Sequence, residues 1–112
     1  MSVIDDYFRA SAAHDTESML ATFTADAAVT DEGVTHTGHD AIRAWRNATS
    51  SEFQYATTVL GIEQIAPAEY LVGTRVAGNF PGSPVTLTHR FALRDGLIAA
   101  LTAALLELPV DN

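Results

Sequence analysis

The sequence predicts an α+β fold in which amino-terminal helices pack against one mostly antiparallel sheet. Up to Phe23, apolar residues recur at intervals of three and four, which is the pattern of amphipathic helices. From Phe53 to Leu93 the chain contains runs rich in β-branched and aromatic residues, separated by turn-forming segments. Because helical patterns come first and strand patterns follow, we expect helices packed on a sheet.

Two short helices are predicted before any strand. Asp15 is a favourable N-cap for the second, since its carboxylate accepts hydrogen bonds from free backbone N–H groups of a first helical turn. Ile4, Tyr7, Phe8 and Ser11 recur at helical spacing in the first helix, and the second is expected to bury Met19, Leu20 and Phe23.

The first predicted strand, around residues 27–31, ends in a carboxylate. Alternation along it puts Ala27, Val29 and Asp31 on one face, so that Asp31 shares the apolar side. A carboxylate that faces a core needs a structural or chemical reason. Asp31 is therefore the first candidate functional residue.

A third helix is predicted to begin at Gly38, after a turn at Gly33 and a short segment, Val34–Thr37. Its apolar side chains form one stripe, which indicates a helix that covers a sheet. The stripe consists of Ala41, Ile42, Trp45 and Ala48.

Three long antiparallel strands are predicted over residues 53–65, 69–78 and 85–93. The last alternates most regularly, and its core face carries Val85, Leu87, His89, Phe91 and Leu93. A histidine therefore lies on an apolar face. Asp95-Gly96 is a strong hairpin signal, so the chain from Leu97 onward is expected to return as a final strand, although its Ala and Leu content favours a helix.

Composition restricts the classes of function. At 112 residues the chain is expected to form a single domain, 1–112. Fourteen acidic and six basic residues give a net charge of −8, which disfavours nucleic acids and anionic membranes as partners. The chain has no cysteine, and its acidic start lacks the features of a signal peptide, so we expect a cytoplasmic protein without thiolate or disulfide chemistry. The apolar run 97–108 is too short to span a bilayer.

The order of these elements resembles the nuclear transport factor 2-like superfamily, in its SnoaL-like (polyketide cyclase-like) branch. The likeness rests on the strand that ends in Asp, the helix that opens Gly-x-x-Ala-Ile-Arg, and the segments GNFPGSPV and HRFALRDGLI, and it covers nearly the whole chain. It implies a cone-shaped fold in which a strongly curved sheet wraps around helices and leaves an apolar pocket. Members use such a pocket for isomerisation, ring closure, epoxide hydrolysis, dehydration or binding alone, so the resemblance implies the fold better than the function.

A more distant similarity to the ketosteroid isomerases, which move a proton next to a carbonyl without a cofactor, implies roles for individual residues. Tyr7, eight residues before Asp15, matches their oxyanion donor, and Asp31, in AAVTDEG, matches their general base. His89 stands where they carry a second donor, a protonated Asp, and so departs from their pattern. Trp45 matches an aromatic pocket wall.

Two chemical hypotheses remain open for these residues. In the first, Asp31 removes a proton beside a carbonyl while Tyr7 and His89 donate to the developing oxyanion. In the second, His89 is the base and Asp31 orients it, which suits water activation or proton relay in a hydrolase or dehydratase. Each residue also has a structural interpretation: Tyr7 as a core tyrosine, Asp31 as a cap of the turn at Gly33, and His89 as a core histidine.

Two further patterns predict no cofactor site. His36 and His39 form an H-x-x-H pair, but it straddles a turn and a helix start rather than one helical face, so no metal is expected. Gly78 and Gly82 precede no helix that would complete a phosphate loop, so no nucleotide is expected.

The sequence therefore predicts a cofactor-free enzyme that acts on a small, mostly apolar carbonyl compound by proton transfer, of the isomerase, cyclase or dehydratase type. The alternative is a noncatalytic domain that binds a small hydrophobic ligand. The candidate catalytic residues are Asp31, His89 and Tyr7, and the candidate ligand contacts are Trp45, Tyr55 and Phe91.

The outer face of the later strands also predicts a homodimer. It mixes Thr86, Thr88, Ala92 and small residues with few charges beyond Arg90 and Arg94. The resemblance implies pairing through this sheet, and a self-complementary two-fold contact is the usual solution for a soluble oligomer.

Overall fold

Three helices and one six-stranded sheet form the computed structural model, which describes residues 2–52, 55–79 and 81–105, with backbone alone at 49–52, 55 and 105. This arrangement confirms the predicted α+β class. In chain order the elements are α1 (Val3–Ala12), α2 (Thr16–Leu20), β1 (Phe23–Asp31), β2 (Val34–Thr37), α3 (His39–Glu52), β3 (Tyr55–Ala66), β4 (Glu69–Gly78), β5 (Val85–Arg94) and β6 (Leu97–Leu105).

The two amino-terminal helices begin at side-chain caps. Ser2 accepts a hydrogen bond from the Asp5 N–H at the start of α1. Asp15 is the predicted N-cap of α2 and accepts from both the N–H and the hydroxyl of Ser18, bonds that lower the pKa of its carboxyl. Phe23 is buried as expected, but it begins β1 rather than extending α2, because Thr22 closes the helix end by donating its hydroxyl to the Met19 carbonyl.

The sheet has the strand order β2-β1-β6-β5-β4-β3. Every neighbouring pair is antiparallel except β1 and β6, which are parallel. Register shifts interrupt the ladders between Phe23 and Ala28, between Val59 and Gly61, and between Ala92 and Leu93. Because bulges bend a strand and increase its twist, these irregularities curve the sheet around the helices.

The final strand β6 is confirmed against its helical composition. Asp95 and Gly96 both have positive φ, 55° and 79°, as a tight hairpin turn requires. The turn places β6 between β5 and β1, where its backbone pairs on both sides. This double pairing outweighs the modest helix preference of Ala and Leu, which is at most a few tenths of a kcal/mol per residue.

One row of paired residues lies beneath α1 and forms the centre of the core; we call it the core row. It consists of Val29, Leu101, Phe91 and Tyr70, on β1, β6, β5 and β4. Its first three side chains are at most 1% exposed. Tyr7 of α1 packs its ring edge-on against Phe91, with centroids 5.6 Å apart. This packing fixes the helices over one half of the curved face.

Helix α3 is held against the amino-terminal helices by polar contacts. Arg46 is only 5% exposed and donates to the Ser11 carbonyl at 2.8 Å. Arg43 pairs with Glu17 of α2 at 2.9 Å. Among the residues that the structure describes, no helix combines the length and apolarity that a membrane crossing requires.

Candidate functional site

The two strongest sequence candidates lie on one row of the sheet, two residues along from the core row. This site row consists of Asp31, Ala103, His89 and Val72. Paired residues project from the same face of a sheet, so the Asp31 carboxylate and the His89 ring share the helix-covered face. With strands about 4.8 Å apart and one strand between them, their backbones are separated by about 10 Å.

Asp31 is held by an aromatic side chain from α3. It is half-buried, and its Oδ2 accepts a hydrogen bond from the Trp45 indole Nε1–H at 3.0 Å. Glu32 and Gly33, both with positive φ, turn the chain directly after it, so Asp31 is the last residue of β1. The indole therefore orients the carboxylate through one of its two oxygens.

His89 is buried among aromatic rings. Its side chain is 7% exposed, and its ring lies edge-on to Phe8 at 5.5 Å and stacked with Phe91 at 6.2 Å. Nδ1 lies 3.4 Å from the Thr74 hydroxyl on β4. Burial lowers the pKa of His89 to about 4, against the smaller opposing effects of the Asp31 charge and of a hydrogen bond with the Val72 backbone. The imidazole is therefore neutral at pH 7.

Asp31 and His89 interact electrostatically but form no ion pair among the described contacts. The negative charge of Asp31 favours the protonated form of His89 and so opposes part of the lowering of its pKa by burial. Within the described part of the chain, however, the ion pairs join other partners and none links these two side chains. Only Ala103 stands between them in register.

Tyr7 lies in the core next to this row. It is 4% exposed and packs edge-on against Phe8, Phe23 and Phe91, with centroid distances of 5.1, 5.7 and 5.6 Å. Phe8 and Phe91 also contact His89. Tyr7 and His89 therefore both contact the rings of Phe8 and Phe91.

The predicted ligand contacts differ in their placement. Trp45 is half-buried and hydrogen-bonded to Asp31, a polar role that the sequence did not indicate. Phe91 has no exposed surface, and its ring stacks with that of His89. The Tyr55 side chain lies outside the described residues.

Two residues beside His89 were missed by sequence analysis. Phe8 was assigned only to the helical core stripe, although its ring contacts the imidazole. Thr74 lies between the apolar Val72 and Val76 on the buried face of β4 and is 0% exposed. The signal that revealed Asp31, a polar residue on an apolar strand face, was therefore also present at Thr74.

The H-x-x-H pair is occupied by structural contacts. His39 Nε2 lies 3.3 Å from the Phe23 carbonyl and 3.1 Å from the Thr24 carbonyl. The His36 ring packs against Trp45 with centroids 6.2 Å apart. A search of the described side chains finds no group of three or more acidic, histidine or cysteine residues arranged to hold a metal ion.

Comparison with known families gives one match, which extends over most of the chain. The model of the SnoaL-like domain matches residues 4–101. Among proteins of curated function, none matches the chain.

Solved structures share both the fold and, in one case, substantial sequence identity. A "putative polyketide cyclase" from Sinorhizobium meliloti is 39% identical, with 91% of this chain and 93% of that chain covered and a TM-score of 0.87. A Catenulispora acidiphila protein with a ketosteroid isomerase-like fold, solved with trimethylamine, is 18% identical over 91% and 83% of the two chains, with a TM-score of 0.81. TerC, co-crystallised with polyporic acid, is 13% identical over 92% and 88%, with a TM-score of 0.84. These likenesses confirm the predicted cone-shaped fold.

Proposed function

The chain belongs to the SnoaL-like domain family, and from that premise we propose that it is an enzyme that transfers a proton beside the carbonyl group of a small, mostly apolar compound. No cofactor takes part in the proposed step. The overall reaction is of the isomerase or cyclase type, or an elimination that begins with the same proton removal. The 39% identity to a "putative polyketide cyclase" supports this class.

The observation that carries the proposal is that two chemically different groups, Asp31 and His89, lie on one row of the sheet. A carboxylate and a neutral imidazole face the same side of the sheet without pairing to each other. Removal of a proton beside a carbonyl needs a base near the carbon and a hydrogen-bond donor at the oxygen. The two groups supply one function each, from opposite sides of Ala103.

The pKa of His89 decides which group takes which role. A histidine with a pKa of about 4 is a weak base, because burial disfavours its charged form. Its neutral ring still carries one N–H, which lies on Nε2 where Thr74 donates to Nδ1, and a ligand oxygen would compete with the Val72 backbone for the ring N–H. We therefore assign Asp31 as the base and His89 as an oxyanion donor. Tyr7, which packs on the same Phe8 and Phe91 rings as His89, is proposed as a second donor.

The assignment disfavours the hydrolase hypothesis. A histidine that activates water works best with a pKa near 7 and a carboxylate bonded to its ring. His89 has a pKa of about 4, and the described hydrogen bond of the Asp31 carboxylate goes to Trp45 instead.

The experiment measures proton abstraction directly. Enones and β-keto compounds are incubated with the protein in D2O, and exchange of the proton beside the carbonyl is followed by NMR. Asp31→Asn keeps the shape and an oxygen for the Trp45 indole but removes the base, so exchange should fall on the order of 10²–10⁴-fold. Glu32→Gln is the matched control, since it neutralises the adjacent exposed carboxylate.

Three outcomes separate the alternatives. Loss of exchange in Asp31→Asn with activity retained in Glu32→Gln supports the proposal. If His89→Gln abolishes exchange while Asp31→Asn retains it, His89 is the base and the assignment is wrong. If the compounds bind but the protein accelerates no exchange, the domain is a noncatalytic binder.

We also propose that two copies of the chain pair through the outer face of the sheet. A shallow depression surrounds the paired glycines Gly61 and Gly73, and its Leu60 is 58% exposed. The other residues that line it are Ile62, Glu63, Leu71 and Thr88. Thr88→Arg should convert a dimer to a monomer in sedimentation at micromolar concentration. Val34→Arg, at an apolar residue near the opposite edge of the sheet, should not. A wild-type protein that sediments only as a monomer would rule the dimer out.

A further inference from the structure

Strand β6 provides the surface that lies between the two proposed catalytic groups. Ala103 pairs with Asp31 on one side and with His89 on the other, and it is half-buried. Between the carboxylate and the imidazole, the intervening strand therefore presents a single methyl group.

The same strand closes the equivalent space in the core row. Leu101, two residues earlier and on the same face, lies between Val29 and Phe91 and is 1% exposed. A leucine carries three more carbon atoms than an alanine. Strand β6 thus has a large side chain beneath α1, at Leu101, and a small one between Asp31 and His89, at Ala103.

From this contrast, and resting on the proposed function, we propose that Ala103 is a specificity-determining residue that sets the width of the ligand between Asp31 and His89. The ligand lies across the Ala103 methyl group with its oxygen toward His89. Trp45 flanks it on the Asp31 side and Phe8 on the His89 side, since each contacts one of the two groups. Two aromatic borders favour a flat ring system.

The charges of the described residues indicate that this ligand is not an anion. The chain has no lysine, and an anion would face the Asp31 carboxylate without a counter-charge on the site row. The guanidinium groups are directed elsewhere: Arg9 to Asp6, Arg43 to Glu17 and Asp40, Arg46 to the Ser11 carbonyl, Arg90 to Glu69, and Arg94 to Asp26. The sixth, Arg75, is exposed and alternates with the buried Thr74 and Val76, so it points to the outer face. A neutral molecule with one oxygen acceptor or hydroxyl fits best.

The test uses three neutral probes of increasing width: phenol, 2-naphthol and 9-phenanthrol, titrated by calorimetry. In Ala103→Leu and Ala103→Val we expect affinity for 9-phenanthrol to fall at least tenfold, with phenol changed less than threefold, because added methyl groups occupy the ligand's space. Ala103→Gly should keep or improve binding of the widest probe. Ala104→Leu is the matched control, because it adds the same atoms to the exposed opposite face of β6. Since Ala104 pairs with Thr88 of the proposed dimer face, the oligomeric state of this variant is checked by sedimentation before the titrations.

The outcomes are decisive even if one variant fails to fold. Thermal unfolding followed by circular dichroism identifies a misfolded Ala103→Leu protein, in which case Ala103→Val and Ala103→Gly decide. The inference is overturned if the wild type binds none of the probes, or if the folded Ala103 variants show the same width preference as Ala104→Leu. A width-dependent loss of binding in a protein that catalyses no exchange would support this inference while contradicting the proposed enzyme.

Discussion

The core row and the site row occupy the same strands, two residues apart, yet their side chains differ in burial and polarity. In the core row, Val29, Leu101 and Phe91 are almost fully excluded from solvent beneath α1. In the site row, the same strands carry a carboxylate, an alanine and an imidazole, so packing is exchanged for polar groups. Along each of these strands, the residues of the buried core and the residues proposed to be catalytic are therefore two positions apart. Substitutions in the two rows should therefore have separable effects.

The largest expected effect on stability lies in the core row. Phe91→Ala removes a ring that is fully buried and packs against Tyr7 and Phe8, so the free energy of unfolding should fall by about 3–5 kcal/mol. Urea unfolding followed by circular dichroism measures the loss. Ala103→Gly, in the site row, should cost less than half as much. Equal losses at both positions would show that the rows do not differ.

The next effect is a dependence of stability on pH that arises from His89. Because its pKa is about 4 in the folded protein and about 6.5 in an unfolded chain, the unfolded state binds more protons between these values. Stability should therefore decrease as pH falls from about 6.5 to about 4, by up to about 3 kcal/mol.

Comparison with His89→Gln isolates this contribution, since glutamine does not titrate. The variant should lose the decrease over that pH range, while acid unfolding driven by carboxylates such as Asp26, whose pKa is lowered by its hydrogen bond from Arg94, remains at lower pH. A wild-type profile that is flat between pH 4 and 6.5 would show that His89 is not buried in solution.

A third effect concerns how α3 positions the site row. Trp45→Phe keeps an aromatic ring near His36 but removes the indole N–H that holds Asp31 Oδ2. We expect proton exchange to fall about tenfold, which corresponds to about 1.4 kcal/mol and is typical of one lost hydrogen bond to a charged group. The free energy of unfolding should change less than in Phe91→Ala. If exchange is unaffected, the indole does not position the base.

The sequence predicted the elements well because their signals are local. The cap at Asp15 and the Asp95-Gly96 turn depend only on neighbouring residues, and strand alternation placed Asp31 with Val29 on the buried face, as the structure confirms. The start of β1 at Phe23 was missed because a register shift before Ala28 breaks the alternation.

The contacts that complete the site depend on long-range geometry. The hydrogen bond between Trp45 and Asp31 requires the crossing of α3 over β1, which no local pattern encodes. The importance of Ala103 follows only from the parallel pairing of β6 with β1, since an alanine carries no signal of its own. Sequence analysis therefore placed Asp31 and His89 on apolar strand faces, but it missed Thr74 and the contact between Asp31 and Trp45.

The smallest effect tests whether Asp31 and His89 face each other across Ala103. The negative charge of Asp31 raises the pKa of His89, partly offsetting the larger lowering by burial. Asp31→Asn should therefore lower the pKa of His89 further, whereas Glu32→Gln, which removes an exposed charge next to it, should have a smaller effect. An NMR titration of the His89 ring protons measures both shifts. Since burial remains in both variants, only the charge differs, and an unchanged or raised pKa in Asp31→Asn would mean that the carboxylate does not face the imidazole across Ala103.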